Sequence, residues 1–277
     1  MTLLPMVSAV ASEAAHGSAP AAPGPSEIIM HHILDVRYGH IVVGGLDFGP
    51  TRHLLYFGIA AAVVVVAIRI ALRGYDRGLP KGLGALVEML VVFVRDEIAE
   101  KNIGHDGRKF TPLLCSFFFF ILFAALLGLL PYTATSTGNI AVTLALAAVS
   151  FCAQQYAGIS KFGVVRHFMG IVPPGLPAWL LPIMIPVEIL SMFTKPFALM
   201  VRLFANMLAG HMVIGALLLL IPLMAKISTA FGIAVIPVSL GLALFIMLLE
   251  ILVAFIQAYI FTLLSAIFIG MYAHPAH

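Results

Sequence analysis

Long apolar runs alternate with short charged or proline-rich breaks along this chain, and the length of each run selects the element it forms. His53 to Leu72 is apolar for about 20 residues, enough for one helix across a hydrocarbon core about 30 Å thick. From Lys81 to Lys101 the pattern changes. Leu83, Leu86, Val87, Leu90, Val91 and Val94 recur at helical spacing while Glu88, Arg95 and Glu100 take other positions, which predicts an amphipathic helix lying in the interface. Pro112 to Leu130 predicts a second crossing, closed by Pro131, and Ile140 to Ala157 a third. Pro173, Pro174, Pro177, Pro182 and Pro186 then break the backbone before an apolar run, 187–221, that Pro196 is expected to kink. The last run, Val238 to Tyr272, has no proline. At 1.5 Å per residue it is about 50 Å long, so it must tilt steeply or project from the bilayer. The pattern predicts an all-α integral membrane protein with about five crossings (53–72, 112–130, 140–157, 187–221, 238–272), an interfacial helix over 81–101, and two long tilted helices at the end.

Composition agrees: of 277 residues 62% are hydrophobic and 10% charged, against about 25% charged in soluble domains. Residues 12–26, rich in Ala, Pro, Gly and Ser, place a flexible tail over 1–30, before a single membrane domain over 31–277. The extreme N-terminus faintly resembles a signal peptide but has no basic n-region. Basic residues from Arg69 to Lys109 lie between two apolar blocks, and Lys161, Arg166 and His167 follow the third crossing. The positive-inside bias puts both segments in the cytoplasm, with the uncharged loop Tyr132 to Gly138 and the N-terminus outside and the C-terminus inside. There is no basic stripe of the kind that binds nucleic acid. Cys115 and Cys152 stand far apart in apolar runs, without metal-ligand spacing, and read as buried hydrophobes.

Few charges remain in the second half. After Asp106 the only acidic residues are Glu188 and Glu250, and the basic residues after His167 apart from histidines are Lys195, Arg202 and Lys226. Glu188, Lys195 and Arg202 recur every seven residues and so fall on nearly one helix face, which Asn206 extends by a turn. Ala198, Ala205 and Ala209 flank Arg202 and leave a narrow surface open to a neighbouring helix. A cation in mid-membrane costs roughly 2.5–3.5 kcal/mol on insertion scales, and guanidinium cannot escape by deprotonation. Glu250 and Gln257 share a face of the last helix. His211 lies nearly opposite Arg202 on its helix, where Glu250 can be its partner, and such a pair can pass a proton. The plain alternatives are a structural arginine bonded to backbone carbonyls, a snorkelling Lys195, and an inert buried His–Glu pair.

The run Thr194-Lys-Pro-Phe-Ala-Leu-Met-Val-Arg-Leu-Phe-Ala-Asn-Met-Leu-Ala-Gly-His211 resembles the signature of subunit a of the rotary F-type ATP synthase. Gln257-Ala-Tyr-Ile-Phe-Thr262 and Gly128-Leu-Leu-Pro131 are similar to further motifs of that family, and the resemblance extends over most of the chain from about His31. It implies a proton-conducting stator that works against a ring of c subunits, with peripheral-stalk b subunits and the rest of the ATP synthase as partners. Arg202 becomes the arginine facing the ring. Asn206 and Gln257 line the polar route beside it, Glu188 and Ser191 belong to a cytoplasmic half-channel, and His211 and Glu250 to an outer one. Lys195 and Asn139 are further lining candidates. Many bacterial relatives carry glutamate and histidine in the reverse order at the last two positions, and the exchange keeps one acid and one base. No cofactor or metal is implied, and no phosphate-cradling GxxxxGK[ST] loop is present, so ATP chemistry belongs to other subunits. A bacterial plasma membrane is the expected location, with a mitochondrial inner membrane as the alternative. The competing readings are a secondary transporter with Arg202 as counter-ion, which predicts repeat symmetry that is not seen, and a purely structural membrane subunit. An intramembrane hydrolase lacks its motifs.

Overall fold

Apolar runs of membrane thickness satisfy their backbone polar groups internally as helices, and helices dominate the computed structural model, which describes residues 42–43, 46–47, 52–73, 82–104, 106–129, 136–164 and 180–273. The expected tail over 1–30, Arg166 and His167, and the prolines at 173, 174 and 177 lie outside them. A short antiparallel hairpin, β1 (Val42–Val43) and β2 (Leu46–Asp47), pairs Val42 with Asp47 and Val43 with Leu46. The described elements after it are all helical: α1 (Arg52–Arg73), α2 (Leu83–Phe93), a π-helical segment Val94–Glu100, a last turn α3 (Lys101–Ile103), α4 (Gly107–Gly128), a 3-10 turn Ser136–Gly138, α5 (Ile140–Phe162), α6 (Leu181–Ile227) and α7 (Thr229–Ala273). Among the described residues four helices, α4 to α7, are long and apolar enough to cross a membrane, and α1 carries a shorter apolar segment, Leu55–Arg69.

The long helices exceed their expected lengths. α6 spans 47 residues and α7 spans 45. α6 runs helically through Pro186, Pro196 and Pro222, and α7 through Pro237. Each proline costs the ladder one N–H, which membrane helices tolerate when neighbouring groups compensate. The amphipathic helix switches to π geometry over its most charged stretch, and its buried side there is Val94, Ile98 and Ala99. Gly104, at φ 83°, turns the chain into α4 through a conformation that glycine adopts without steric penalty.

α7 is the central element: it packs against α6, α4 and α5, and its C-terminal part meets α3. The core joins Phe117, Phe118 and Ile121 of α4 to Phe261 and Ile269 of α7 and to Ile98 and Ile103 of the amphipathic segment. Phe117 meets Phe261 edge-on at 5.4 Å between centroids. Polar side chains line the seam between α5 and α7. Ser150 and Ser265 share a hydroxyl hydrogen bond of 2.8 Å, and Gln154 donates to Ser150 Oγ at 3.3 Å. Turning this polar face inward turns Cys152 outward, so Cys152 is exposed rather than buried as expected, while Cys115 is part-buried against the core.

At the cytoplasmic end predicted by the charge pattern, ion pairs stitch the connections. Arg95 bonds Asp96 at 2.6 Å, Arg108 bonds Glu100 at 2.7 Å, and Asp106 accepts from Lys109 at 3.1 Å and from Lys161 of α5 at 3.5 Å. The hydrogen bond from Lys109 holds the Asp106 carboxyl below its ordinary range, so the contact is complete at neutral pH and weakens only as pH falls through that lowered value.

Two glycines let backbones touch. A Cβ on Gly107 falls 2.5 Å from the Ala99 carbonyl oxygen, and one on Gly270 runs into the carbonyl of Asn102. Gly270→Ala should therefore force α7 off α3 and cost about 1–3 kcal/mol, as overpacking does. Gly58→Ala, where a Cβ meets nothing within 4 Å, should be neutral. Thermal unfolding of the purified protein carrying each variant checks this: a lower Tm for Gly270→Ala alone is expected.

Candidate functional site

Three helices converge on one imidazole. His211 of α6 places Nδ1 3.0 Å from Glu250 Oε1 of α7 and Nε2 3.1 Å from the carbonyl oxygen of Gly128. Gly128 is the last residue of α4, where helical carbonyls have no intrahelical donor. A carbonyl only accepts, so Nε2 donates and carries a proton. Nδ1 then has two complementary states. It accepts from a protonated Glu250, or it is itself protonated and donates to the carboxylate. Either way one proton is shared across the contact, an arrangement suited to relay. Glu250 is 6% exposed, and its Oε2 is buried without a partner among the described residues. One turn along each helix, Ala125, Met207 and Ala254 form a small apolar cluster beneath the pair. The expected His211–Glu250 partnership is thus present in the structure.

Glycine creates the room for it. A Cβ on Gly210 falls 2.6 Å from Glu250 Oε1 and 2.8 Å from its Cδ, so the carboxyl occupies space that any other residue would claim. Neither Gly210 nor the Gly128 carbonyl stands out as a site group by its side chain. Only the meeting of three helices reveals them.

A second locus lies on the other face of α6. Arg202 is exposed, as are Ala198, Ala205, Asn206 and Ala209 around it. Among the described residues Arg202 has no hydrogen-bond or ion-pair partner, which leaves the backbone-pinned reading without support. A cleft of about 490 Å³ opens beside it, lined by Ser191, Thr194, Lys195 and Arg202 of α6 and by Leu264 and Phe268 of α7. The seven-residue spacing of Lys195 and Arg202 therefore does put both on one wall. Glu188, half-buried two turns before Lys195, lies within electrostatic reach of Tyr272, and Tyr272 is hydrogen-bonded to Gln155 of α5. Gln257 is buried, on the same side of α7 as Glu250.

Asn139 stands at the start of α5. Its side-chain oxygen caps α5, accepting from the Ala141 N–H at 2.9 Å, which commits that oxygen to holding the helix start. Nearby Thr137 is 1% exposed, and its hydroxyl has no partner among the described residues. Among the described residues no three His, Cys, Asp or Glu side chains gather to hold a metal ion.

Comparison with known proteins matches residues 54–270 to the family described as ATP synthase A chain. An ATP synthase subunit a of Anaeromyxobacter dehalogenans is 52% identical over 232 residues, covering 82% of this chain and 58% of the relative. That of Chloroherpeton thalassium is 46% identical, covering 90% of this chain and 77% of the relative. An ATP synthase subunit a 2 of Chlorobaculum tepidum is 42% identical, covering 98% and 79%. The matched region is thus a little over half the length of the Anaeromyxobacter relative.

The glycine that admits Glu250 gives a sharp test. Gly210→Ala should push the carboxyl off Nδ1 and cost about 1–3 kcal/mol of stability, as overpacking does. Thermal unfolding of the purified protein reads it directly, and a Tm equal to wild type would show that the carboxyl gives way without cost.

Proposed function

The chain belongs to the ATP synthase A chain family, and on that premise we propose that it is the proton-conducting stator of an F-type ATP synthase, offering two offset half-channels to a ring of c subunits. The observation that carries this reading is Arg202: an exposed guanidinium without a partner among the described residues, on a face it shares with alanines, Lys195 and Asn206, at the edge of a cleft. Such a charge needs an anion brought to it from outside the chain, and the narrow alanine face lets a neighbouring helix deliver one.

In this mechanism a proton enters from the outer side through the shared His211–Glu250 contact and passes to a carboxylate on the ring. Neutralised, that carboxyl can turn to face lipid, where the charged form is too costly. After nearly a full turn it reaches the cleft beside Ser191 and Lys195 and gives up its proton toward Glu188. Arg202 favours the ionised carboxylate by proximity of opposite charge and repels a proton that would cross directly between the two routes. Asn206 and Gln257 line the polar passage beside it. The apolar cluster of Ala125, Met207 and Ala254 adds a dry barrier next to the outer pair. The conducted ion is taken as a proton because a His–Glu pair handles a proton by simple exchange between Nδ1 and Oε1.

The partners that follow are the c ring, the b subunits of the peripheral stalk, the other subunits and the lipid around the exposed apolar helix faces. ATP is made and split elsewhere in the complex. A bacterial plasma membrane, with the C-terminus in the cytoplasm, fits the bacterial relatives and the basic loops.

ATP-driven acidification of inverted vesicles carrying Arg202→Ala tests the proposal, with co-purification of the ring as the check on assembly. The expected outcome is an assembled complex whose pumping is lost. Arg202→Lys should also fall well short of wild type, because lysine can deprotonate when desolvated and lacks the planar fork. Near-normal pumping by an assembled Arg202→Ala complex would overturn the mechanism.

A further inference from the structure

Lys195 lies two helical turns before Arg202, about 10 Å along the axis, on the wall of the same cleft. Its ammonium stands 5.6 Å from the ring centroid of Phe268 and 5.6 Å from that of Tyr272. These rings are four residues apart and so project from one face of α7. Within about 6 Å an aromatic face attracts a cation through its quadrupole. Among the described residues no carboxylate pairs with Lys195.

The distinction between rings and a carboxylate matters. A carboxylate would fix the ammonium and cancel its charge. Two rings fix it and leave the charge in place. The cage itself is held: Phe268 packs against the core, and Tyr272 is bonded to Gln155. A lysine on a flexible four-carbon stem is thereby given a defined position beside Arg202.

We infer that Lys195, caged by Phe268 and Tyr272, is a second fixed positive charge of the cleft, which favours the ionised form of a carboxyl group entering it and so promotes proton release on that side. The inference rests on the stator reading and adds to it a positioning residue for proton release at the cytoplasmic end. The other charged or titratable groups on the page around the ammonium are Arg202 and Glu188 along its own helix and Tyr272 on α7.

A unit charge about 10 Å away, at an effective dielectric of about 20–40, shifts a carboxyl by roughly half a pH unit to one unit. The sign is fixed. Removing the cation lets the rotor carboxyl hold its proton more tightly when it faces the cytoplasm. ATP-driven uptake from that side then persists to higher pH, and ATP synthesis, which must release the proton there, slows.

The experiment is the cytoplasmic-side pH profile of ATP-driven pumping and of ATP synthesis in vesicles containing the whole complex. Lys195→Gln should move the pumping profile to higher pH by about half a unit or more and slow synthesis several-fold. Lys195→Arg, which keeps the charge and stacks on rings, should restore the wild-type profile. An assembled Lys195→Gln complex with an unmoved profile overturns the inference, and so does a Lys195→Arg complex as impaired as Lys195→Gln. Should Lys195→Gln not assemble, Phe268→Leu, which keeps the charge but loosens its cage, is read the same way. A smaller shift in the same direction supports the inference and no shift overturns it. Arg202→Ala in parallel separates the two levels. If it still pumps, the stator reading itself has failed. If it is dead while the Lys195 variants behave as wild type, only this inference falls.

Discussion

A guanidinium that cannot shed its charge, set on an apolar helix, constrains everything around it. Arg202 is exposed, and none of the described residues compensates its charge. Such a group persists on a membrane-embedded surface only if water, lipid headgroups or an incoming anion reach it. The alanines at 198, 205 and 209 keep that surface narrow, and a cleft opens beside it. α7 packs along α6 and is itself braced by α4, α5 and the amphipathic segment.

Opposite that face the helix does a different job. His211 looks inward, and α4, α6 and α7 meet at its two nitrogens. The carbonyl at the end of α4 decides the tautomer and leaves Nδ1 as the position where a proton can be gained or lost. Gly210 beside it admits the carboxyl of Glu250. One helix therefore carries a permanent charge on one side and a labile proton on the other, nine residues along. In the proposed mechanism that separation sets the two half-channels apart.

Much of this was legible in the sequence, because bilayer thickness and helical repeat are strong constraints. The four long apolar helices, the shared face of Lys195 and Arg202 and the pairing of His211 with Glu250 follow from run length and residue spacing. What stayed hidden depends on tertiary contact. Nothing in the text marks the Gly128 carbonyl as an acceptor, Phe268 and Tyr272 as a cage, or Gly210 as space for a carboxyl. Cys152 looked buried because its run is apolar, but α5 turns Ser150 and Gln154 inward instead.

The central claim is that the Arg202 face is uncovered here because a rotor helix carrying a carboxylate covers it in the complex. Cysteine cross-linking tests it most directly, with Ala205→Cys on that face and a cysteine placed beside the carboxylate of the c subunit. The account predicts a disulfide between the two in assembled membranes, and none when the cysteine is moved to Ile189 or Ile251. A complex that assembles and translocates but never links Ala205→Cys to the ring would contradict it.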